Sequence, residues 1–463
     1  MGNYPGGPES SVWDAATGAT PERVGPSNYL DSAARLAVAD RERLLRAYEN
    51  SLLPRPVYLD AQVVADLSSD IAVVAEVLLS LPGRLVDGDE SRFARRLGIT
   101  EDRIELASIG KARTSRHVGR ADVLRTENGF RMVEFNLSSA LGGLDIAALN
   151  RAFLADEAVS RYVGVGKLGY IDPVRQLVAH LKDATDGAPG TVGLVDTPTG
   201  FPKSRAHLEL LAEILAQHGV EAVPTHLGEL EIGSAVTIRG RRIHTVHRFF
   251  TLSELVADAP TVRWAGGVLR QLENTAVPIV SPLSSSFFGS KRSLAALWES
   301  DTRSVLSPAE EAAVERLVPW SMPVPSESDS AAVRAAFVER CVEQQTRLVL
   351  KPAFGASGNG VVIGWETNRD DWINAITDIG GSAYVVQEAV RPVTEQFPTE
   401  EMNGHRGWRL NYGFFDLAGG FAGAYVRGLP ASEGAVIGES AGASRGCIFI
   451  AGDDSRLQGV QRP

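Results

Sequence analysis

The stretch GRADVLRTENGFRMVEFNLSSALGG, residues 119–143, reads as a β-hairpin with an unusual face. Side chains two apart along a strand point the same way, so the pairing register decides which residues meet. With a two-residue turn at Asn128-Gly129, Val123 would pair with Glu134, and Asp122 and Glu134 would lie on opposite faces. A three-residue loop over 127–129, with Gly129 in the left-handed region, pairs Thr126 with Phe130 instead. It sets Asp122 opposite Glu134 and Arg120 opposite Asn136, with paired Cβ atoms ~4.5–5.5 Å apart. One face then carries Arg120, Asp122, Glu134 and Asn136 and can grip a cation; the other holds Val123, Val133, Phe135 and Leu137 for a core. The competing reading is a surface hairpin with solvated ion pairs, which are energetically minor. The rest of the chain decides between them.

The 463 residues allow two or three domains, and 44% hydrophobic with 22% charged residues is ordinary for a soluble globular chain. A formal net charge of -11 argues against nucleic acid as a partner, because neutralising a phosphate backbone needs a basic surface. A single nucleotide needs only a few local cations and stays open. Two cysteines, Cys341 and Cys447, make neither a disulfide framework nor a zinc site, and read as reduced thiols of a cytoplasmic protein. No apolar run approaches the ~20 residues of a membrane span, so no membrane partner is expected. Residues 1–30, rich in Gly, Pro, Ser and Thr, read as a flexible lead-in without the features of a secretory signal.

Helical periodicity covers 31–52, 59–82 and 88–97, and together with the hairpin these form a unit over 31–165. Residues 166–288 read as an α/β substrate domain. TVGLVD (191–196) is a buried strand, RAHLELLAEILAQHG a helix closed by Gly219, and VEAVPTH the next strand. AVTIRGRRIHTVHRFF follows as a hairpin turning near Gly240. This is a Rossmann-like half without G-x-G-x-x-G, so no NAD is assigned. Residues 289–463 hold LVLKPAFGASGNGVVIG (348–364), a strand delivering Lys351 and then a loop punctuated by Gly355, Gly358 and Gly360. Glycines let backbone N–H groups wrap an anion, and Ser357 and Asn359 add donors. It is not a Walker A loop, which needs G-x-x-x-x-G-K-[ST] before a helix. Lys291 opens a helix, Gln387-Glu388-Ala389-Val390 ends a strand, and WRLNYGFFDLAGGFAGAYVRG reads as two antiparallel strands joined at Gly419-Gly420. The 408–427 strands are expected in the same lobe as the hairpin.

Taken together these segments resemble the ATP-grasp family, and their order resembles its circularly permuted members, of which glutathionylspermidine synthetase is the best-known ligase. The family's R-x-D, followed twelve residues after the Asp by E-x-N, matches Arg120, Asp122, Glu134 and Asn136. This pattern precedes Lys291 and Lys351, whereas ordinary members place the lysines first. The resemblance implies an α/β fold: a permuted ATP-grasp core with a Rossmann-like insert and N-terminal helices. It implies Mg²⁺ on Asp122, Glu134 and Asn136, and ATP held by Lys291, Lys351, the loop Gly355, Ser357, Gly358 and Gly360, and the segment Gln387, Glu388 and Val390. Arg120 and Lys351 would act on phosphate and Arg427 on the acyl phosphate, with Arg409 and Arg445 as alternatives.

The activity implied is an ADP-forming ligase joining a small carboxylate to an amine through an acyl phosphate. Phosphoryl transfer depends on positioning and charge neutralisation, which this inventory supplies. Arg248, on RRIHTVHRFF, is a candidate clamp for the substrate carboxylate. The general base stays open among the histidines, His117 and His405 included. A kinase stopping at the acyl phosphate and a nucleotide-binding regulatory or scaffold protein are the competing functions, and an oligomer is compatible with all three.

Overall fold

The computed structural model describes Leu44 and residues 51–109, 117–183, 185, 187, 189–256, 258–355, 358–379, 383–399, 404–417, 419–452 and 455–462. The lead-in at 1–30 and nearly all of the helix expected over 31–52 lie outside these residues.

The hairpin forms, with strands Val118–Thr126 and Gly129–Leu137. It edges a seven-stranded sheet whose other members come from distant parts of the chain. Val118–Thr126 pairs antiparallel with His405–Leu417, which pairs with Gly420–Pro430 and, along its first half, with Thr394–Pro398. Ser444–Ala451 comes next, and Val57–Asp60 closes the sheet in parallel.

Asp122 opposes Glu134 and Arg120 opposes Asn136, but not through a three-residue loop. The turn holds only Glu127 and Asn128, between paired Thr126 and Gly129, with Gly129 at φ 107°. Thr126 Oγ1 closes it, donating to the Gly129 carbonyl at 2.8 Å. Val123 then pairs with Met132, while Asp122 pairs with Glu134, so Val133 is an extra residue on its strand. Such a bulge shifts the register by one. Val133 therefore leaves the core face assigned to it from sequence and packs beside Leu124 and Ile437; Met132 takes the core position.

The second sheet is antiparallel, in the order Ser321–Pro323, Tyr384–Glu388, Leu348–Pro352, Val362–Ile363. Helices Ala331–Glu343 and Arg369–Thr377 cover it around Trp372, whose Nε1 donates to the Cys341 carbonyl at 3.0 Å. The third sheet is wholly parallel, in the spatial order Ala222–His226, Val192–Asp196, Thr245–Arg248, Ile279–Val280. Numbered along the chain this is 2-1-3-4, with a switch point between the strands ending at Asp196 and Arg248. The hairpin expected in AVTIRGRRIHTVHRFF is divided. Val236–Ile238 and Arg241–Ile243 turn through Arg239-Gly240, both at positive φ, and Thr245–Arg248 leaves them for the parallel sheet.

Helix Ala61–Leu85 lies on the seven-stranded sheet, started by Asp60 accepting from the amides of Gln62 and Val63. Val64, Leu67, Ile71, Val74, Leu78 and Leu81 recur at helical spacing and are buried, each stabilising the fold by ~1.5–3 kcal/mol. Ion pairs Arg84–Glu310 at 2.6 Å and Arg316–Asp70 at 2.7 Å fasten it to helix Pro308–Leu317. Among the described residues no helix is long and apolar enough to cross a membrane.

Candidate active site

The three sheets converge on a cleft of about 580 Å³. The seven-stranded sheet contributes Arg120, Asp122, Glu134, Asn136, Asn411, Arg427 and Arg445; the antiparallel sheet contributes Lys351, Gln387 and Glu388. Asp196 and the start of the helix that follows it bring in the parallel sheet.

Asp122 is the electrostatic centre. Arg120 donates to both its oxygens, through Nε at 2.8 Å and Nη2 at 3.2 Å, and Arg427 adds a third bond at 2.6 Å. Burial by itself would raise the Asp122 carboxyl; the two guanidinium groups outweigh it and hold the group down at about 2. Burial works against the charge of both arginines as well, and Asp122 together with Tyr425 outweighs it, raising both. Tyr425 lies between them, its ring centroid 5.3 Å from the Arg120 guanidinium carbon and 5.7 Å from that of Arg427. Its position depends on Gly413, where a Cβ would stand 2.3 Å from the Tyr425 ring.

The lysines enter from the opposite wall. Lys291 is the first residue of helix Lys291–Ala296, capped by Ser290, and its Nζ donates to Glu134 Oε1 at 2.9 Å and to the Gly355 carbonyl at 3.3 Å. Lys351 Nζ donates to Gln387 Oε1 at 2.6 Å and to the carbonyl of the bulged Val133 at 3.1 Å. The bulge thus ties the hairpin to the lysine strand. Burial, and then the neighbouring Lys291 charge, lower the Lys351 ammonium to about 7, against weaker opposing pulls from Glu134 and Asp122. Gln387 is itself fixed, its Nε2 donating to Ser321 Oγ at 3.1 Å.

In the glycine loop Gly358 and Gly360 take left-handed φ of 82° and 72°, and Gly355 lies against the Lys291 ammonium. A Cβ on Gly358 would meet Val436 Cγ1 at 2.4 Å, so only a glycine lets the loop approach the 435–439 segment. Ser357 lies outside the described residues. Glu388 and Val390 line the cleft, and Val390 joins Leu124, Val133 and Ile437 in an apolar wall.

Arg248 is a correction. It is fully buried and does not line the cleft. It donates to the carbonyls of Ser281 at 3.1 Å, Phe250 at 2.5 Å and Pro282 at 3.4 Å, so it braces the loops behind the wall instead of clamping a substrate. With no carboxylate in contact, burial lowers it to about 10. Of the alternatives to Arg427, Arg445 is its cross-strand partner and lines the cleft, whereas Arg409 lies outside it and donates to the Gly434 carbonyl at 2.9 Å. His117, paired with Asp416 at 2.8 Å, and exposed His405 are likewise outside.

Sequence reasoning missed Asn411, Asp196 and His207. Asn411 pairs across the strands with Arg427, and its buried Oδ1 has no hydrogen-bond partner among the described residues. Asp196 ends a strand at the switch point, and burial raises it to about 6 against hydrogen bonds from Ser204 and the Thr197 amide. The one available signal was position: ligands of doubly wound sheets gather at the carboxyl ends of strands beside the switch.

The oxygen donors fit a hard divalent cation that also binds phosphate. Asp122, Glu134 and Asn136 all line the cleft; Asp122 accepts from the two guanidinium groups and Glu134 from Lys291. Among the described residues no cluster of three His, Cys, Asp or Glu forms an all-protein metal cage. One or two carboxylates completed by nucleotide oxygens and water is the usual Mg²⁺ arrangement.

No protein-family model and no curated protein sequence matches the chain. Among solved structures, a glutathione synthetase-like effector from Globodera pallida in its apo form superposes with a TM-score of 0.53 at 14% identity. That match covers 92% of this chain and 99% of that one. A putative gamma-glutamylcysteine synthetase from Methylobacillus flagellatus KT matches at a TM-score of 0.42 and 13% identity over 80% of this chain and 84% of that one, too slight an overlap to build on. The first likeness speaks to fold alone: the chain shares the mixed α/β architecture of that effector.

Proposed function

We propose that the chain is an ATP-dependent carboxylate–amine ligase that releases ADP and phosphate. One observation carries the reading: Arg120, Asp122, Glu134, Asn136, Lys291, Lys351 and Arg427, from segments far apart in sequence, line one cleft. A scaffold protein would have no use for a buried Lys351 lowered to about 7 beside a second lysine, a cost that an anionic ligand removes.

Lys291 and Lys351 would hold the nucleotide phosphates, with the Gly355–Gly360 loop closing over them and Leu124, Val133, Val390 and Ile437 receiving the base. Glu134 and Asn136, with Asp122, would hold Mg²⁺, which when bound neutralises phosphate charge. Arg120 orients Asp122. Arg427, next to Asn411, whose buried Oδ1 has no hydrogen-bond partner among the described residues, is placed to receive the oxyanion formed when an amine attacks the acyl phosphate. We read the order of the parts as a circular permutation: the hairpin precedes both lysines, while the other strands of its sheet, Val57–Asp60 excepted, follow them. Segment 166–288 is then the substrate-facing unit, its strand ends opposite the phosphate site.

Product analysis tests this. Mg-ATP is incubated with pools of amino acids, di- and tricarboxylic acids and amines, using Glu134→Gln as control. ADP and phosphate are expected only when acid and amine are both present, and not with the control. AMP and pyrophosphate would overturn the acyl-phosphate route, and ADP without any amine would indicate a kinase.

A further inference from the structure

The end of the cleft under the parallel sheet holds side chains that phosphate handling does not use. Helix Phe201–Gln217 starts beyond the end of strand Val192–Asp196, and its N-cap Gly200 with Lys203, Ser204 and His207 on it all line the cleft. Their spacing of three and four residues puts them on one helical face. His207 is 7% exposed and packs its ring 5.3 Å from that of Phe249, another lining residue. Its Nδ1 stands 3.5 Å from Asp145 Oδ2, and its buried Nε2 makes no hydrogen bond among the described residues. A buried ring nitrogen without a partner is costly to fold around unless a ligand satisfies it. His247 shows the contrast. Its ring nitrogens too are buried without a hydrogen bond among the described residues, but it lies outside the cleft, and burial above all lowers it to about 3, a neutral core ring.

Asp145 is wholly buried, on the loop that prolongs hairpin strand Gly129–Leu137 through the lining residues Ser138, Ala140, Leu141 and Gly142. Ser139 Oγ ties that loop to the parallel sheet by donating to the Arg248 carbonyl at 2.6 Å. The Asp145–His207 contact therefore joins the metal-binding hairpin to the substrate side. At 3.5 Å it is longer than a hydrogen bond, as base–orienter contacts often are before substrate binds. Asp196 is the rival base, but both its oxygens already accept, from the Thr197 amide at 2.7 Å and Ser204 Oγ at 2.5 Å.

We infer that His207, oriented by Asp145, is the general base that removes the proton from the attacking amine. The inference rests on the ligase reading above. The amine nitrogen forms its bond to the acyl carbon with its own electron pair, and its surplus proton passes to His207 Nε2. The acyl C–O bond to phosphate then breaks, and inorganic phosphate leaves with that pair. Asp145 stabilises the imidazolium until the proton passes to solvent. The charged groups on this side of the cleft are Asp145, Asp196, Lys203 and Glu254.

Hydroxylamine separates the two half-reactions, because it captures an acyl phosphate as a hydroxamate without a general base. The full chain, Mg-ATP and the acid pools above are assayed with either hydroxylamine or the amine pools. His207→Gln should keep hydroxamate formation within about threefold while amide formation falls roughly 10²–10⁴-fold, the usual range for losing a general base. The acidic limb of the wild-type pH profile for amide formation should disappear, and imidazole should partly rescue His207→Gly. Asp145→Asn should cost about tenfold in amide formation. Unimpaired amide formation by His207→Gln overturns the proposal. So does equal loss of both products without imidazole rescue, which marks a packing role. Loss confined to Asp196→Asn would hand the role to Asp196. Wild-type protein giving no hydroxamate from any pool would sink the ligase reading itself, a result distinct from all of these.

Discussion

Arginine side chains are buried almost completely both in the cleft and behind its wall, and the two settings differ in what the guanidinium meets. In the cleft, Arg120 and Arg427 share Asp122, and all three groups stay charged because the carboxylate offsets the burial of both arginines and they offset its own. Behind the cleft wall, Arg248 donates to the carbonyls of Ser281, Phe250 and Pro282 and lies over the Phe250 ring, and burial lowers its pKa to about 10. Buried charge held by opposite charge can be re-used by an anionic ligand, since a phosphate or oxyanion can take over part of the pairing. Buried charge held by carbonyls has no such exchange available and serves as a brace.

Breaking each site should expose this difference. The largest effect is expected from Asp122→Ala, which leaves two guanidinium groups buried beside one another without a carboxylate. Removing one partner of a buried ion pair typically costs about 3–5 kcal/mol, to be read from urea denaturation, and ATP turnover should vanish with it. Arg248→Met comes next. It strands three carbonyls and should cost about 3 kcal/mol in stability, but below its melting temperature the folded fraction should keep the wild-type KM for ATP. A changed KM would return Arg248 to the site.

Gly413→Ala is a milder test of the cleft pair. Its Cβ would press on Tyr425 and come within 3.0 Å of Arg120 Cδ, so the ring and Arg120 must shift. A loss of about 1–3 kcal/mol is expected for such overpacking, with a larger relative fall in kcat than in ATP affinity, measured by steady-state kinetics.

A titration tests the lysine side of the cleft. Between about pH 7 and 10.5 the unfolded chain keeps a proton on Lys351 that the folded chain has released, so apo stability should rise with pH across this window. A phosphate against the ammonium favours the protonated form. Nucleotide binding at pH 8 should therefore take up a proton and weaken toward pH 9. Titration calorimetry in Tris and in HEPES reads this directly: equal binding heats, after correction for nothing but dilution, would show no proton uptake and remove Lys351 from the phosphate site. Lys351→Met should raise apo stability at pH 7 while lowering ATP affinity.

Much of the site was legible along the chain because its parts are local. Arg120, Asp122, Glu134 and Asn136 sit two apart on adjacent strands, and alternation with apolar neighbours marks the face they share. Lys351 follows a run of apolar strand residues, and Gly358 and Gly360 announce a backbone that other residues adopt with strain. Strand and turn chemistry depends on near neighbours, so such features survive reading in one dimension.

Where alternatives were close in local energy, the chain did not choose. The hairpin reached its expected pairing through a two-residue turn and a bulge at Val133, a trade of turn for bulge that core packing of Met132 and contact with Lys351 decide. Arg248 and Arg427 each stand in a strand with apolar neighbours, and nothing beside them tells which will find a carboxylate. The answer lies in partners far away in sequence: Asp122 for one, the loop after Val280 for the other. His207 likewise looks like any helical histidine until the fold brings Asp145 against it. The sequence by itself determined the α/β elements, the polar face of the hairpin and the lysine–glycine loop, because short-range sterics and periodicity govern them. Only the tertiary structure decided which buried charges share a cleft, because electrostatic pairing is set by distance in space.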